Sequence, residues 1–423
     1  GVMVRVAVAL ALLCLACRTH AGEDDLSALD LADSVPASVA QGSEWRAFAE
    51  ASGGQVRSRG DGALHYARRL SLDLRYDHAL DADWRLLFAD RLDANWPAQV
   101  ADENAINTLK EAYLSWRAQP DLLLDLGRIN VRHGVAMGYN PTDYFRAGAV
   151  RSVVSIEPAS LKENRQGSFM GRAQWLWDRG SITLLSAPKL ETTADKHGFN
   201  PNWGGTNNQN RWLLVASPRL GDNINPQLLL YREAGRPVQL GVNLTALLDD
   251  ATVAFLEWSG GRGDSLLTQA LRQAGVALPE RNVFRNRIAT GATHTTADKL
   301  SLTAELEYSG AALKDGEWQA LGKAIPAYWQ YRGWLQGAQE MPTRKAVFVH
   351  GGWRDALVTH LDLNAMVRRN GADGSSLTWI EARYHWNRSE IAVQWQIDAG
   401  SPGSEFGAVS QRRAWQLQLR QYL

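Results

Sequence analysis

The chain has 423 residues, with 45 basic side chains balancing 45 acidic ones, and such a neutral balance lacks the basic footprint that a nucleic-acid surface needs. Hydrophobic residues make up 45%, yet mean hydropathy is -0.30. Past the first positions no apolar run approaches the ~20 residues of a spanning helix, which excludes a helical membrane protein.

The first residues read as a targeting segment. Arg5 supplies positive charge, VAVALALLCLAC is an apolar core and Thr19-His20-Ala21 offers small residues for cleavage, so residues 1–21 are expected to be a signal peptide. Cys14 and Cys17, the two cysteines of the chain, both fall inside it, and no disulfide is expected in the mature protein. A lipid anchor on Cys17 is the competing reading, but Cys14 stands where a leucine-like residue is wanted. Residues 22–43 form a polar, acidic lead expected to lie in the periplasm.

From residue 44 to residue 423 the chain is a succession of period-2 segments. Alternation and turn chemistry together predict strands near 44–52, 65–77, 83–93, 107–117, 121–130, 167–178, 180–188, 211–218, 225–233, 237–248, 251–259, 283–294, 299–309, 345–353, 358–369, 376–387, 389–399 and 411–423. The links between them sort by parity. Those after the second, fourth, sixth and later even strands are short (DHALDA, RAQP, DR, LDD, TTAD, NR), whereas 131–166 and 310–344, of the other parity, are long. A soluble sandwich has no reason for this sorting, but a membrane barrel does, with tight turns at the periplasmic rim and long loops outside.

Side-chain chemistry follows the same period. In LSLTAELEYSG (300–310), Leu300, Leu302, Ala304, Leu306 and Tyr308 alternate with Ser301, Thr303, Glu305 and Glu307. A soluble sandwich would turn the leucines inward; a barrel would turn them to lipid and the glutamates to a wet lumen. Tyr66, Leu70, Leu72, Leu74 and Tyr76 form a similar apolar face, as do Ile380, Ala382, Tyr384 and Trp386, then Ile391, Val393, Trp395 and Ile397. The opposite face carries Arg69, Ser71, Asp73 and Arg75, then Arg285 and Arg287, and then Glu381, Arg383 and His385. So many charges cannot all face a dry core. Arg69, Asp73, Arg75, Arg285, Arg287, Glu305, Glu307, Glu381 and Arg383 are therefore the expected pore-lining residues. The 17 tryptophans suit the aromatic girdles of such a barrel.

The most distinctive block is LDLGRINVRHGVAMGYNPTDYFR, residues 124–146. Asn140 as N-cap, Pro141 at the first helical position and Asp143 in the first turn predict a short helix from about Pro141 to Ala147. One reading folds this loop into the barrel, with Arg128, Arg132, Asn140, Asp143 and Arg146 forming a constriction; the other makes it an ordered outer cap. In 311–342 the aromatics Trp318, Tyr328, Trp329, Tyr331 and Trp334 predict a helical loop docked on the barrel mouth, or an aromatic surface that guides a sugar chain. No metal or other cofactor is expected, because the nine histidines form no metal-type pair and His350 and His385 lie on different strands. The triplet Arg262-Gly263-Asp264 reads as part of a polar loop.

The last segment, with Trp415, Leu417, Leu419 and Leu423 in alternation, looks like the terminal strand by which barrel proteins are recognised for assembly, although it ends in leucine rather than phenylalanine or tryptophan. With it, the whole mature chain resembles Gram-negative outer-membrane β-barrels, in size and strand count closest to porins and alginate-export-type channels. The 124–146 block looks like the strand-then-Asn-Pro block of poorly characterised outer-membrane families. The resemblance implies an all-β transmembrane antiparallel barrel of about eighteen strands, sixteen being the alternative. It also implies contact with outer-membrane lipid and lipopolysaccharide, and insertion by the barrel assembly machinery.

The function expected is a channel for a small solute or for export of a polymer, selecting by lumen charge and inward loops. Arginine outnumbers lysine, which favours carboxylate or phosphate contact through a planar fork. The alternatives are a plugged barrel whose lead 22–43 engages a periplasmic component, and an outer-membrane hydrolase. No local signature supports an enzyme, so none of its residues is read as catalytic.

Overall fold

A computed structural model describes residues 44–100 and 102–423. The expected signal peptide and acidic lead lie outside the described residues. Eighteen antiparallel strands form one closed sheet. They are β1 (Trp45–Ser58), β2 (Leu64–Ala79), β3 (Trp84–Trp96), β4 (Ala105–Gln119), β5 (Leu122–Ile129), β6 (Ser168–Trp177), β7 (Gly180–Ala187), β8 (Arg211–Pro218) and β9 (Ile224–Glu233). The second half is β10 (Gln239–Asp249), β11 (Thr252–Gly263), β12 (Val283–Thr295), β13 (Leu300–Ser309), β14 (Lys345–Trp353), β15 (Leu361–Asn370), β16 (Ser376–Trp386), β17 (Ser389–Ala399) and β18 (Gln411–Tyr422). Each strand pairs with its sequence neighbours, and β1 pairs with β18 from Phe48 opposite Tyr422 to Ser58 opposite Gln411. Closure leaves no open edge, so every wall strand has two partners.

The links sort as expected. Tight turns such as 178–179, 250–251 and 387–388 lie at one end, and the segments 130–167, 188–210, 264–282, 310–344 and 400–410 lie at the other. The outer face is apolar: Tyr66, Leu70, Leu72, Ile380, Trp386, Trp395 and Ile397 are all exposed. Aromatics stack where that face meets the tight-turn rim. Trp84 and Trp116 lie 5.3 Å apart at 9°, and Trp45 lies 4.2 Å from Tyr76. Such a band with aromatic borders is a lipid-facing surface.

Two expectations are corrected. Glu305 and Glu307 do face inward, but not onto water: they are 0% and 1% exposed, because the long segments occupy the interior above them. The helix expected from Pro141 to Ala147 does not form either, and the segment is a run of turns. Its polar groups find partners far away in sequence, as shown below, and local helical bonds lose the competition.

Helices occur instead as α1 (Pro158–Glu163), α2 (Trp203–Thr206), α3 (Leu266–Gln273), α4 (Asp315–Leu321) and α5 (Ile325–Ala338). The last three pack together through Leu266, Ala270, Trp318, Tyr328, Tyr331 and Leu335. Trp318, Tyr328 and Tyr331 are buried and Trp334 packs against them, which docks the 310–344 segment, while Trp329 is 51% exposed. Asp264 is tied to Arg272 at 2.8 Å and to the Arg281 amide at 2.7 Å, which makes the Arg-Gly-Asp triplet a structural turn.

Candidate functional site

The segment 130–167 leaves β5, crosses the interior and returns to β6. Its apolar side chains Val131 and Phe145 join Met170, Leu185, Leu213, Leu229 and Tyr231, the inward residues of β6 to β9. Burial of this cluster anchors the segment to one half of the wall.

Two wall carboxylates fix the tip. Glu305 of β13 accepts from the amides of Met137 (2.7 Å), Gly138 (3.0 Å) and Tyr139 (3.1 Å). Glu257 of β11 accepts from the amides of Val135 (2.9 Å), Ala136 (3.1 Å) and Thr142 (2.9 Å), from the Thr142 hydroxyl (3.0 Å) and from Asn140 Nδ2 (3.0 Å). Leaving a buried amide without its acceptor costs about 1–3 kcal/mol, so the two side chains, with these backbone and side-chain donors between them and the segment, form a latch. Glycine is required where the chain passes them: a Cβ at Gly138 would sit 2.6 Å from Glu307 Oε2 and 2.7 Å from Phe348, and Gly134 has φ +114.

Ion pairs complete the latch. Arg165 binds Asp143 at 2.7 Å and the Val131 carbonyl at 2.9 Å. Burial alone would raise the Asp143 pKa, but the Arg165 guanidinium outweighs it and holds the carboxyl below its usual range. Glu340, from the 310–344 segment, takes Arg146, the Tyr139 hydroxyl at 3.0 Å and Arg287 at 3.4 Å. Against the raising effect of burial, Arg146 and Arg287 hold it low as well. Arg368 of β15 joins Glu307 to the Gly138 carbonyl. Burial pushes Lys162 down, and its ammonium donates to the Ala136 carbonyl at 3.5 Å.

The remaining wall is charged, and most of its carboxylates and several of its cations are buried in ion pairs. Glu50 of β1 receives Arg69 and, at 2.8 Å, Arg420. Asp73 receives Arg91 at 3.2 Å and Lys110 at 2.8 Å, while Arg75 meets Glu111 at 3.4 Å. Arg383 bridges Glu381 at 3.2 Å and Glu390 at 2.7 Å. The side chains of Arg75, Arg420 and Arg383 keep 28%, 23% and 18% exposure. The segment 130–167 reaches this wall too: Arg69 donates to the Val154 carbonyl at 3.3 Å, Lys110 to Asn164 at 3.5 Å and the Asn130 amide to Glu111 at 3.1 Å.

The residues singled out from sequence thus separate into groups. Arg69, Asp73, Arg75, Glu381 and Arg383 lie on the charged wall, where Arg69 and Glu381 are buried and Arg75 and Arg383 stay partly exposed. Glu305, Glu307, Asn140, Asp143, Arg146 and Arg287 form the latch. Arg285 is drawn to the carbonyls of Gly263 (3.0 Å) and Gly310 (3.1 Å), at the long-loop end. Arg128 is 2% exposed, donating to the Gly167 and Pro201 carbonyls with Trp203 stacked at 4.3 Å; it clamps the 188–210 segment rather than facing an opening. Arg132, half-buried, has its pKa lowered by burial and by Arg165. His385 lies beside Asp362, while His350 is two strands away on β14.

Glu257, Glu50, Arg165, Glu340 and Arg368 escaped the sequence reading. Glu257 had a signal: it is the one acid in VAFLEWS, on the parity opposite Leu256 and Trp258. Arg165 and Glu340 sit in loops without periodicity and had none.

No protein-family model matches the sequence, and no curated protein matches it. Solved structures do match its fold. Pseudomonas aeruginosa OpdQ superposes with TM-score 0.55 at 8% identity, covering 90% of this chain and 99% of that one. Pseudomonas aeruginosa OccK8 (OprE) gives 0.54 at 8% identity, with 90% and 98% covered. Acinetobacter baumannii OccAB1 gives 0.54 at 9%, with 90% and 96% covered. The fold is that of the Gram-negative outer-membrane porins. In this barrel the segment 130–167 runs from the Glu257 and Glu305 latch to the charged wall, where Arg69 holds the Val154 carbonyl at 3.3 Å.

Proposed function

We propose that the chain is an outer-membrane channel that passes a small polar solute between the latched segment 130–167 and the charged wall of β1–β4 and β16–β18. The single observation that carries the reading is the asymmetry of the interior. One side is fixed by Glu257 and Glu305, and on the other Arg75, Arg383 and Arg420 stay partly exposed beside carboxylates that are largely buried. A fixed narrow passage with charges of both signs on one side sorts solutes by size and by charge. The inward filling favours a small solute over a polymer chain. Because the cap of α3 to α5 covers part of the mouth, a plugged resting barrel is the second reading.

Planar-bilayer recording of the purified protein separates the two. Discrete conductance steps with a reversal potential that shifts on Arg383→Gln and Arg420→Gln support the channel. A silent bilayer containing folded barrel would support the plug.

A further inference from the structure

Arginines gather on the inner face near the tight-turn rim. Arg75 stands shortly before the end of β2 at Ala79, Arg383 before the end of β16 at Trp386, Arg420 before the end of β18 at Tyr422, and Arg46 just after the start of β1 at Trp45. Arg46 has the inward parity of Phe48, which packs 4.2 Å from Arg420, and of buried Glu50. It lies directly opposite Arg75 in the β1–β2 register. The carboxylates at this level are already engaged. Glu111 meets Arg75 at 3.4 Å, and Glu390 meets Arg383 at 2.7 Å and Arg420 at 3.8 Å. Glu50 is shared by Arg420, Arg69 and Arg91, and Asp77 pairs with Arg85. Among the described residues the Arg46 side chain has no hydrogen bond and no ion pair. Like charges directly opposite on one sheet face are destabilising, so the Arg46 and Arg75 pair leaves a place for one more anion at the mouth.

An anionic stretch of this chain is tied beside that place. Residues 22–43 lead into β1 and carry Glu23, Asp24, Asp25, Asp30 and Asp33 with no lysine or arginine. The point where they join the barrel is fixed. The Asp77 amide donates to the Glu44 carbonyl at 3.0 Å, and the Glu44 carboxylate meets His78 at 2.6 Å. Both partners belong to β2, the strand that carries Arg75. At ~3.3–3.6 Å per residue the segment spans up to about 70–80 Å, so its acids reach every arginine of the mouth. Tethering presents them there at an effective concentration of the order of 1 mM, and opposite charge favours the encounter.

We infer that the arginine cluster of Arg46, Arg75, Arg383 and Arg420 is a docking site for this chain's own acidic segment 22–43, which enters the lumen beside β1 and closes the passage from the tight-turn side. The segment is the favoured occupant because it matches the cluster in sign, starts beside it and needs no encounter with a second molecule. A periplasmic protein that held the same acids would instead leave the arginines open. The effect on current rests on the channel reading, whereas the docking itself does not.

The test titrates a fluorescently labelled peptide of residues 22–43, read by anisotropy in mild detergent, into the full chain with its own acids neutralised (Glu23→Gln, Asp24→Asn, Asp25→Asn, Asp30→Asn and Asp33→Asn). Binding with a Kd below about 1 mM is expected, since a weaker site would stay empty at the tethered concentration. Arg46→Gln with Arg75→Gln should raise that Kd about tenfold, the loss of two partly screened charge contacts. Arg354→Gln, on the same rim just past β14, should leave it unchanged. In planar bilayers the parent chain should close repeatedly and the acid-neutralised chain should not, and peptide added on the tight-turn side alone should restore the closures. Folded barrels that pass no current in any variant would count against the channel reading, while the anisotropy still decides the docking. No binding at about 1 mM peptide, or equal affinity after Arg46→Gln with Arg75→Gln, would overturn the inference and leave the segment to a periplasmic partner.

Discussion

Glu257 and Glu305 each gather several backbone amides of the segment 130–167, a use that depends on two acceptor oxygens per side chain. Glu305→Gln together with Glu257→Gln keeps the volume but replaces one acceptor oxygen at each site by an NH₂ group aimed at N–H donors. Each buried amide left without an acceptor costs about 1–3 kcal/mol. The expected result is a barrel that still folds, with larger and noisier single-channel steps and faster proteolysis within 130–167. Unchanged current and unchanged protection would mean that the apolar cluster alone holds the loop.

Asp143 belongs to the same scale. Its folded pKa is depressed while an unfolded aspartate titrates near ~3.9. Its contribution is therefore present above that value and lost as pH falls through the depressed folded value. Acidification below about pH 4 should loosen the segment, read as protease sensitivity. Asp143→Ala should loosen it already at neutral pH, since it strands the buried Arg165, a loss of about 3–5 kcal/mol. Had the expected helix existed, only the ~0.3–1 kcal/mol of a first-turn dipole contact would be at stake. The size of the effect thus distinguishes an ion-pair latch from a helix start.

At the scale of elements, the inward segment and the wall it rests on stabilise each other. Replacing 132–166 by a short Gly/Ser linker adds little closure entropy, because that term varies slowly with loop length. It uncovers Met170, Leu185, Leu213, Leu229 and Tyr231 on the inside of β6 to β9, however. The expected outcome is a wider conductance together with a lower folding yield. A linker variant with parental conductance would remove 130–167 as the narrowing element and shift attention to 310–344. The sequence left this loop either folded into the barrel or capping it outside, predicted a helix that does not form, and read its polar groups as lining a constriction. Their partners were not legible, because the amides that bind Glu257 and Glu305 carry no residue identity and lie far from them in the chain.

At the scale of the whole molecule, inside and outside follow from one alternation. Leu302→Arg should destabilise insertion into lipid by about 2–4 kcal/mol if the site lies near mid-membrane, measured as a shift in the urea midpoint for folding into vesicles. A variant as stable as the parent would invert the assigned faces.

The sequence by itself determined the barrel: the period-2 pattern, the sorting of long and short links and the excess of tryptophan each specify a strand-built wall with a lipid face. These are local or additive properties, and a one-residue slip would turn every leucine to the wrong side. Only the tertiary structure decided how the interior is filled. Glu305 and Glu307 looked the same as any wet lumen acids. What buries them, and leaves Arg75, Arg383 and Arg420 partly open on the other side, is the meeting of segments hundreds of residues apart, where long-range pairing with buried charges outweighs local helical preference.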